Sequence, residues 1–211
     1  MTKPCVARLI GFDEEMSQGD DVWIAGVDEA GRGPLAGPVV AAAVVLIRKT
    51  SLDGLNDSKQ VRPRVREKLF REISCHGLVG IGVVDERIID EINIYQATRL
   101  AMKRAVLALP CTPDRLLVDG NLRLDLPLPQ KAIIAGDQKS ACIAAASIIA
   151  KVYRDAWMVH LDDLYPQYCF KDHKGYATPS HLERLRCEGP SPVHRKTFAP
   201  VCEMLVADPK L

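Results

Sequence analysis

The sequence predicts an α/β protein built on one mixed sheet of five strands, with helices against its faces and a helical C-terminal part. Five short segments rich in Val, Ile and Leu are bounded by turn residues, as buried strands are. Three longer segments carry apolar residues at helical spacing. Because strands come first and then alternate with helices, a mixed sheet with helices packed on it is the expected arrangement.

The first three predicted strands are VWIAGVD (22–28), GPVVAAAVVLI (37–47) and GLVGIGVVD (77–85). A glycine-rich loop joins the first two, and a helix over 63–75 precedes the third. Pro63 suits the first turn of that helix, since its fixed φ is helical and no N–H is needed there. The helix has a basic side and an apolar stripe formed by Val65, Leu69, Phe70 and Ile73.

The second half of the chain predicts two more helices and two more strands. A helix from Ile94 to Leu109 is capped by Asn93, and its alanines form one face that permits close packing on a sheet. A long helix runs from Ser140 to about Leu164, and its first half is nearly all Ala and Ile, which predicts burial. The remaining strands are RLLVDG (115–120) and KAIIAGD (131–137).

Length and composition favour one compact domain over the 211 residues, 47% of them hydrophobic, with a core over about 22–200. We leave open whether residues 1–20 are flexible. Lys plus Arg (28) nearly cancels Asp plus Glu (27), which excludes a strongly basic coat and leaves local patches to meet any charged partner. The seven cysteines include no CxxC pair, which argues against a disulfide framework and a zinc site.

Neither a signal peptide nor a membrane span is predicted. The N-terminus lacks an apolar stretch followed by a small-residue cleavage site, and the longest apolar run, Val39 to Ile47, is far shorter than a transmembrane helix. We therefore expect a cytoplasmic protein with reduced thiols, and we expect a monomer.

Three predicted strands end in acids, namely Asp28, Asp119 and Asp137. Ligands of open α/β sheets gather at strand ends, so these carboxylates are expected to converge. Converging carboxylates repel one another, and a divalent cation removes that repulsion. Oxygen ligands favour Mg²⁺ or Mn²⁺, and two such ions about 4 Å apart serve in-line displacement at phosphorus. An aspartate after a strand is also common turn chemistry, so only the joint pattern favours phosphodiester cleavage.

Six motifs then occur in a fixed order: DEAGRG, LNDSK, VDG, GDQKS, AAASIIAKVYRD and HKGYATPSH. With them the sequence resembles bacterial ribonuclease HII, the type 2 ribonuclease H family, over about residues 22–200. The resemblance implies the ribonuclease H-like fold and a two-metal endoribonuclease that uses Mg²⁺ or Mn²⁺. Its implied partners are RNA/DNA hybrids and DNA containing single ribonucleotides. Cleavage is implied on the 5′ side of the ribonucleotide, leaving 3′-hydroxyl and 5′-phosphate ends.

The resemblance also assigns roles to individual residues. The Gly31, Arg32 and Gly33 backbone is implied to touch the ribonucleotide around its 2′-hydroxyl, and Tyr176 to pack on the following deoxyribose. Lys59 is implied to reach the phosphate at the active site. The alternative for Tyr176 is an ordinary half-buried loop tyrosine, and the alternative for Lys59 is a solvated lysine without a binding role. The resemblance implies that four acidic residues are catalytic and bind the metals, namely Asp28, Glu29, Asp119 and Asp137. These residues are called the four acids below, and Asp28 is implied to be shared between both ions.

The long predicted helix carries a polar stripe on an otherwise apolar surface, with Ser140, Ser147, Lys151 and Arg154 at steps of seven, four and three. We predict that Ser147 and Lys151 contact the nucleic-acid backbone or orient the acids, the alternative being internal packing of polar atoms. Basic segments at 59–71, 171–174 and 194–196 are further candidates for holding phosphates, although each alone is typical of a solvated face.

Three alternatives are weaker. A small-molecule nucleotide-binding enzyme is the first, because GRGPLAG resembles a phosphate-binding loop, but a strand follows this segment and no GKS or GKT is present. A non-catalytic nucleic-acid-binding domain leaves the four acids unexplained. Type 3 ribonuclease H has an extra N-terminal domain, for which we expect too little chain before Val22. The tail CEMLVADPKL has no paired aromatics, so no clamp-binding peptide is expected.

The neighbouring acids Asp28 and Glu29 set one more expectation. Side chains of consecutive strand residues point to opposite faces of a sheet, so two neighbours in a regular strand do not serve one site. We therefore predict that the strand bends or ends at Glu29.

Overall fold

The computed structural model describes residues 6–17, 22–47, 52, 54, 55 and 61–207, and Lys59 lies outside them. Its sheet has five strands in the order β3-β2-β1-β4-β5. β1 is antiparallel to β2 and β2 to β3, whereas β1 is parallel to β4 and β4 to β5. The predicted mixed sheet is therefore confirmed. Its strands are β1 (Ile24–Ala30), β2 (Val39–Leu46), β3 (Gly77–Val84), β4 (Arg115–Asp119) and β5 (Gln130–Ile133).

Helices cover both faces of this sheet, as the sequence predicts. α3 packs on one face, whereas α4 packs on the other together with α1 and α2. Three short helices form the C-terminal part. The helices are α1 (Val6–Ser17), α2 (Pro63–His76), α3 (Glu86–Leu107), α4 (Ala141–Leu164), α5 (Phe170–His173), α6 (Pro179–Glu188) and α7 (Val201–Ala207). No helix among the described residues is both long enough and apolar enough to cross a membrane.

Glycines on the strands let both helical layers approach the sheet closely. A Cβ at Gly80 or Gly82 would lie 2.1 or 2.0 Å from a carbonyl oxygen of α3. On the other face, a Cβ at Gly26 would lie 2.1 Å from the carbonyl carbon of Cys142 in α4. Such distances are far below van der Waals contact, so these positions require glycine. The result is that the first turns of α4 lie directly over β1.

Helix α3 begins earlier than predicted. Asp85 caps its start by accepting a hydrogen bond from the Ile88 N–H at 3.0 Å. At Asn93 the backbone leaves the helical region, with φ 66°, and the Asn93 side chain accepts from the amides of Tyr95 and Gln96. Asn93 therefore caps the second part of α3 as predicted, and the preceding part of the helix was missed.

Two predicted strand ends were wrong. β1 does not stop at Glu29, because Glu29 and Ala30 still pair with Ala41 and Val40, and the chain turns only at Gly31, where φ is 95°. β5 does not reach Asp137. It ends at Ile133, and after a left-handed residue at Ala135 the chain forms one turn of 3₁₀ helix over Gly136–Gln138.

The segment before β1 contains a helix that the sequence did not predict. Leu9 of α1 is fully buried in the core between the sheet and α4. The buried Asp13 accepts a hydrogen bond from the Cys142 N–H at 2.9 Å, at the start of α4. Residues 6–17 are therefore an integral layer of the fold.

Candidate active site

Asp28 and Asp119 lie side by side at one edge of the sheet. β1 and β4 are parallel and pair Val27 with Val118, so Asp28 and Asp119 are the next residue along each strand. Asp28 is only 5% exposed. Its pKa is raised well above its usual range, first by burial and then by the negative charges of Glu29 and Asp119. The parallel register thus brings together two carboxylates that are far apart in the sequence.

Glu29 joins this pair although β1 continues past it. Burial raises the pKa of Glu29, Arg32 opposes that rise, and the nearby charge of Asp119 adds to it. The Glu29 Oε1 is 3.3 Å from the Arg32 Nη1. The expected convergence is therefore reached at the end of a regular strand, where the longer Glu29 side chain lies within the electrostatic reach of Asp119.

Hydrogen bonds from nearby groups hold Asp28 and Asp119 in place. Asp28 accepts from the Glu29 N–H at 2.7 Å and from the side chain of Ser147, and both bonds act against the rise of its pKa. The Asp119 Oδ1 accepts from the Gly136 N–H at 2.7 Å. Asp137, which is partly buried, follows Gly136 directly in the 3₁₀ turn. The turn after β5 therefore carries the fourth acid to the edge where Asp119 lies.

The donor set of this edge suits a hard divalent cation, because all four side chains offer carboxylate oxygens. Burial together with mutual repulsion raises the pKa values of Asp28 and Glu29, and a bound cation would reverse that effect. Across the described residues, no three His, Cys, Asp or Glu side chains are already grouped closely enough to hold an ion. For Glu29, binding of an ion would compete with the ion pair to Arg32.

The loop after β1 is held from beneath by Arg195, a residue that sequence reasoning misplaced. We predicted that segment 194–196 holds phosphates, which is wrong for Arg195 because its side chain is fully buried. Its guanidinium donates to the carbonyls of Gly31 at 2.6 Å, Arg32 at 2.9 Å and Gly37 at 3.0 and 2.8 Å. It also lies over the Phe198 ring, 5.0 Å from the centroid.

Arg154 of α4 is the second fully buried arginine under this loop. It donates to the carbonyls of Pro38, Ala36 and Lys174 at 3.0, 3.2 and 3.0 Å. Its guanidinium carbon is 5.8 Å from the centroid of the Tyr176 ring. Arg154 thereby joins the loop after β1 to the segment that carries Tyr176. Its place in the polar stripe of a buried helix was the only signal in the sequence.

The other predicted residues differ in their surroundings. Tyr176 is 41% exposed, and both Arg32 and Gly33 are exposed at the tip of the loop, whereas Gly31 is buried. The Lys151 Nζ forms an ion pair with Asp155 at 2.6 Å, and burial lowers the pKa of Lys151 despite that partner. Asp155 also lies 3.6 Å from the Arg66 guanidinium, so this ion-pair cluster joins α4 to α2.

The remaining basic segments expose fewer side chains to a phosphate than predicted. His194 is fully buried, and His173 is buried within segment 171–174. The exposed Lys171 of that segment forms an ion pair with Asp162 at 3.2 Å. On α2, by contrast, four basic residues are exposed: Arg62, Arg64, Lys68 and Arg71.

Comparison with known proteins identifies close relatives. Residues 25–201 match the protein-family model described as Ribonuclease HII. A ribonuclease HII of Geobacillus kaustophilus (strain HTA426) is 53% identical over 205 residues, which are 97% of this chain and 78% of that protein. The crystal structure of the ribonuclease H2 from Pyrococcus horikoshii OT3 superposes with a TM-score of 0.75 at 28% identity, covering 88% of this chain and 98% of that one.

A more distant structure extends the likeness of fold. The crystal structure of Bst-RNase HIII in complex with Mn²⁺ is 19% identical and superposes with a TM-score of 0.67. The superposition covers 98% of this chain and 73% of that one. At this identity the likeness concerns the fold alone.

Proposed function

Because the chain belongs to the ribonuclease HII family, we propose that the four acids are its catalytic metal site and that the loop after β1 senses the ribose. Family membership makes the protein a metal-dependent type 2 ribonuclease H, an endoribonuclease that acts on RNA/DNA hybrids. The proposal goes beyond this family activity. It includes cleavage 5′ of a single ribonucleotide embedded in duplex DNA, with 3′-hydroxyl and 5′-phosphate products.

One observation carries this proposal. The acids of β1 run directly into the loop that begins at Gly31, and the strand register sets Asp119 beside them. Arg195 holds that loop from beneath, and Arg154 joins it to the segment of Tyr176. This arrangement supports a site in which chemistry at phosphorus lies next to recognition of the sugar. A phosphate-binding module without catalysis has no use for buried carboxylates that repel both one another and the ligand.

The carboxylate oxygens of the four acids suit ions of the Mg²⁺ or Mn²⁺ class, and Asp28, Glu29, Asp119 and Asp137 would hold two such ions. When bound, such ions supply an activated water and stabilise the charge on the leaving 3′ oxygen. The contribution of the chain is to orient the ligands. Ser147 and the Glu29 amide hold Asp28, and the Gly136 amide holds Asp119. The ion pair with Arg32 holds the Glu29 carboxylate at the end of β1.

Recognition of the ribose requires a backbone that approaches it closely. The exposed Gly33 has open space around its Cβ position, so its backbone is accessible to a substrate. We assign the backbone of Gly31, Arg32 and Gly33 to the 2′-hydroxyl, which is the group that distinguishes RNA from DNA. The exposed ring of Tyr176 is assigned to the deoxyribose that follows. Contacts of Lys59 and Lys151 with phosphate stay predictions.

A duplex with one embedded ribonucleotide tests the substrate assignment. With Mg²⁺ or Mn²⁺ we expect a single nick on the 5′ side of that ribonucleotide and none in the all-DNA duplex. Cleavage of long RNA/DNA hybrid without this nick would refute the single-ribonucleotide part of the proposal and leave the family activity intact.

Asp119→Asn tests the site assignment. We expect a folded protein in which turnover falls by more than about 100-fold, because the amide lacks the charge that an ion needs. The matched control is Asp125→Asn, since Asp125 is an exposed aspartate paired only with Lys103 at 2.8 Å in the described structure. Normal turnover in Asp119→Asn would remove Asp119 from the site.

Tyr176→Ala tests the recognition element. We expect the preference for an RNA–DNA junction over a uniform RNA/DNA hybrid to fall while the fold is retained, because the exposed ring contributes little to the core. Tyr95→Ala, at an exposed tyrosine of α3, is the control. An unchanged preference in Tyr176→Ala would make Tyr176 an ordinary loop residue.

A further inference from the structure

Three histidines are buried together behind Tyr176, away from the four acids. His181 and His194 are fully buried, and His173 is nearly so. The His173 and His181 rings stack with centroids 4.2 Å apart, and the Nε2 atoms of His181 and His194 are 3.1 Å apart. Tyr168 and Phe170 pack edge-on or tilted against this cluster. Three polar rings in an aromatic core need a reason beyond filling space.

The hydrogen bonds define where each proton lies. The Ser191 N–H donates to the His194 Nδ1 at 3.0 Å, so a neutral His194 carries its proton on Nε2. That proton is donated to the His181 Nε2, which leaves the proton of His181 on Nδ1. The His181 Nδ1 is 2.9 Å from the carbonyl oxygen of Tyr176 and donates to it. The chain of bonds therefore runs from Ser191 through two rings to the backbone of Tyr176.

The other end of this chain is attached to the loop after β1. His194 forms an isolated antiparallel bridge with Ala36. The flanking bonds run from the Gly37 N–H to the Val193 carbonyl at 2.9 Å and from the Arg195 N–H to the Leu35 carbonyl at 2.8 Å. One side of His194 is thus fixed to the segment that follows Gly31–Gly33, and the other reaches Tyr176 through His181.

We infer that His181 and His194 are positioning residues, which set Tyr176 at a fixed place relative to the Gly31–Gly33 loop and thereby support the preference for an RNA–DNA junction. The inference rests on the proposed role of Tyr176. Neither histidine touches the substrate in this scheme. Each acts through a carbonyl or a neighbouring ring.

Electrostatics agrees with this geometry. Burial, followed by the nearby His181, lowers the pKa of His194 to about 3, and burial with a smaller effect of His173 lowers the pKa of His181 to about 4. Both rings are therefore neutral near pH 7. A second proton on His194 would place an N–H against the Ser191 N–H, which breaks the chain at its first bond.

Two substitutions at one position separate positioning from packing. The side-chain nitrogen of asparagine lies near the place of the histidine Nδ1 and donates as Nδ1–H does, and the carboxamide oxygen of glutamine reaches the place of Nε2 and accepts as Nε2 does. His181→Asn therefore keeps the bond to Tyr176 and loses the one to His194, whereas His181→Gln does the reverse. Both lose the stacking on His173, so thermal unfolding should show a lower Tm for both.

The readout is the ratio of kcat/KM on a junction substrate to kcat/KM on a uniform RNA/DNA hybrid. We expect His181→Gln and His181→Asn each to lower this ratio about fivefold, because each variant breaks one of the two bonds that connect His194 to Tyr176, and fivefold corresponds to one ordinary hydrogen bond. Equal losses on both substrates, with an unchanged ratio in both variants, would show a packing role and overturn the inference.

Tyr176→Ala is measured in the same assay. If it loses the preference while His181→Gln keeps it, the inference fails and the proposed function stands. If Tyr176→Ala keeps the preference, the proposed role of Tyr176 fails and the inference fails with it. Should the His181 variants not fold, ¹⁵N NMR of the histidine rings in the unsubstituted protein gives the decision. We expect the Nδ1–H tautomer for His181 and the Nε2–H tautomer for His194, and the opposite tautomer of His181 would overturn the inference.

Discussion

Replacement of Arg195 by lysine should loosen the loop after β1 without removing a positive charge. The guanidinium of Arg195 donates hydrogen bonds to three backbone carbonyls, those of Gly31, Arg32 and Gly37. Burial, with the nearby Arg154 adding to it, lowers the pKa of Arg195 to about 9, so the side chain is still charged at pH 7. Lysine keeps the charge, but its single ammonium group does not reproduce the planar fork.

The size of the effect follows from the number of carbonyls left without a partner. An ammonium group at one point reaches one of the three carbonyls, and each of the other two costs about 1–3 kcal/mol when its bond is lost. We therefore expect Arg195→Lys to lower the free energy of unfolding by about 2–6 kcal/mol. Because a loop displaced by about 1 Å loses up to about 100-fold in rate, cleavage at a single ribonucleotide should fall by about 10- to 100-fold.

Urea unfolding at pH 7 without added metal measures the first effect, and cleavage of the single-ribonucleotide duplex measures the second. Arg184→Lys in α6 is the matched control, since Arg184 is exposed and should change stability by less than about 0.5 kcal/mol. Stability within about 1 kcal/mol of the wild type for Arg195→Lys, together with normal cleavage, would refute the assignment of the loop to this arginine.

Three further substitutions test the site. Gly31→Ala should lower stability by more than about 1 kcal/mol, because φ is 95° and the new Cβ would lie 2.0 Å from the Arg154 Nε, whereas Gly33→Ala, in open space, should stay within about 0.5 kcal/mol in the same urea titration. Asp28→Asn should abolish cleavage and stabilise the metal-free protein at pH 8 by about 1 kcal/mol. The pKa of Asp28 in the folded protein is raised above 3.8, so the folded wild type binds a proton at Asp28 more readily than the unfolded chain and loses stability as pH rises. The stabilisation by Asp28→Asn should therefore shrink as the pH is lowered toward 4. Finally, Mg²⁺ at about 100 times its Kd should stabilise the wild type by about 2.7 kcal/mol and Asp28→Asn by less, and an equal rise in Tm would place the ion elsewhere.

The sheet and two of the helices were predictable because their patterns are local. Val- and Ile-rich strands bounded by turn residues, the apolar stripe of α2 and the apolar first half of α4 specify these elements without reference to the rest of the chain. α1 has no such pattern. It depends on tertiary contacts, namely the burial of Leu9 and the bond from the Cys142 N–H to Asp13. The first part of α3 was missed because it is short and its cap, Asp85, was assigned to the preceding strand.

The acids of the candidate site were predictable from the sequence, whereas the residues that hold the site in place were much less so. Acids at strand ends are visible in a sequence, but the register that sets Val27 beside Val118 is not. The two buried arginines were unpredictable for a different reason. Their partners are main-chain carbonyls, which every residue has, so no particular residue type in the sequence identifies them. In a sequence, a basic residue that hydrogen-bonds to a loop cannot be distinguished from one that binds phosphate until its burial is known.

Some expectations stay predictions. Lys59 lies outside the described residues, and the contacts of Lys151 with nucleic acid depend on release from Asp155. The monomeric state, the cytoplasmic location and the absence of a clamp-binding peptide also stay predictions.

Helix α4 contacts both halves of the proposed site. Ser147 reaches Asp28, and Arg154, two turns later, reaches the carbonyls beneath the loop and beside Tyr176. Seven residues of α-helix span about 10.5 Å, and a helix does not stretch. α4 therefore sets the distance from Asp28 to the loop after β1 and to the segment of Tyr176. Under the proposed function, the cut should fall at one constant offset from the ribose, whatever the base sequence around it.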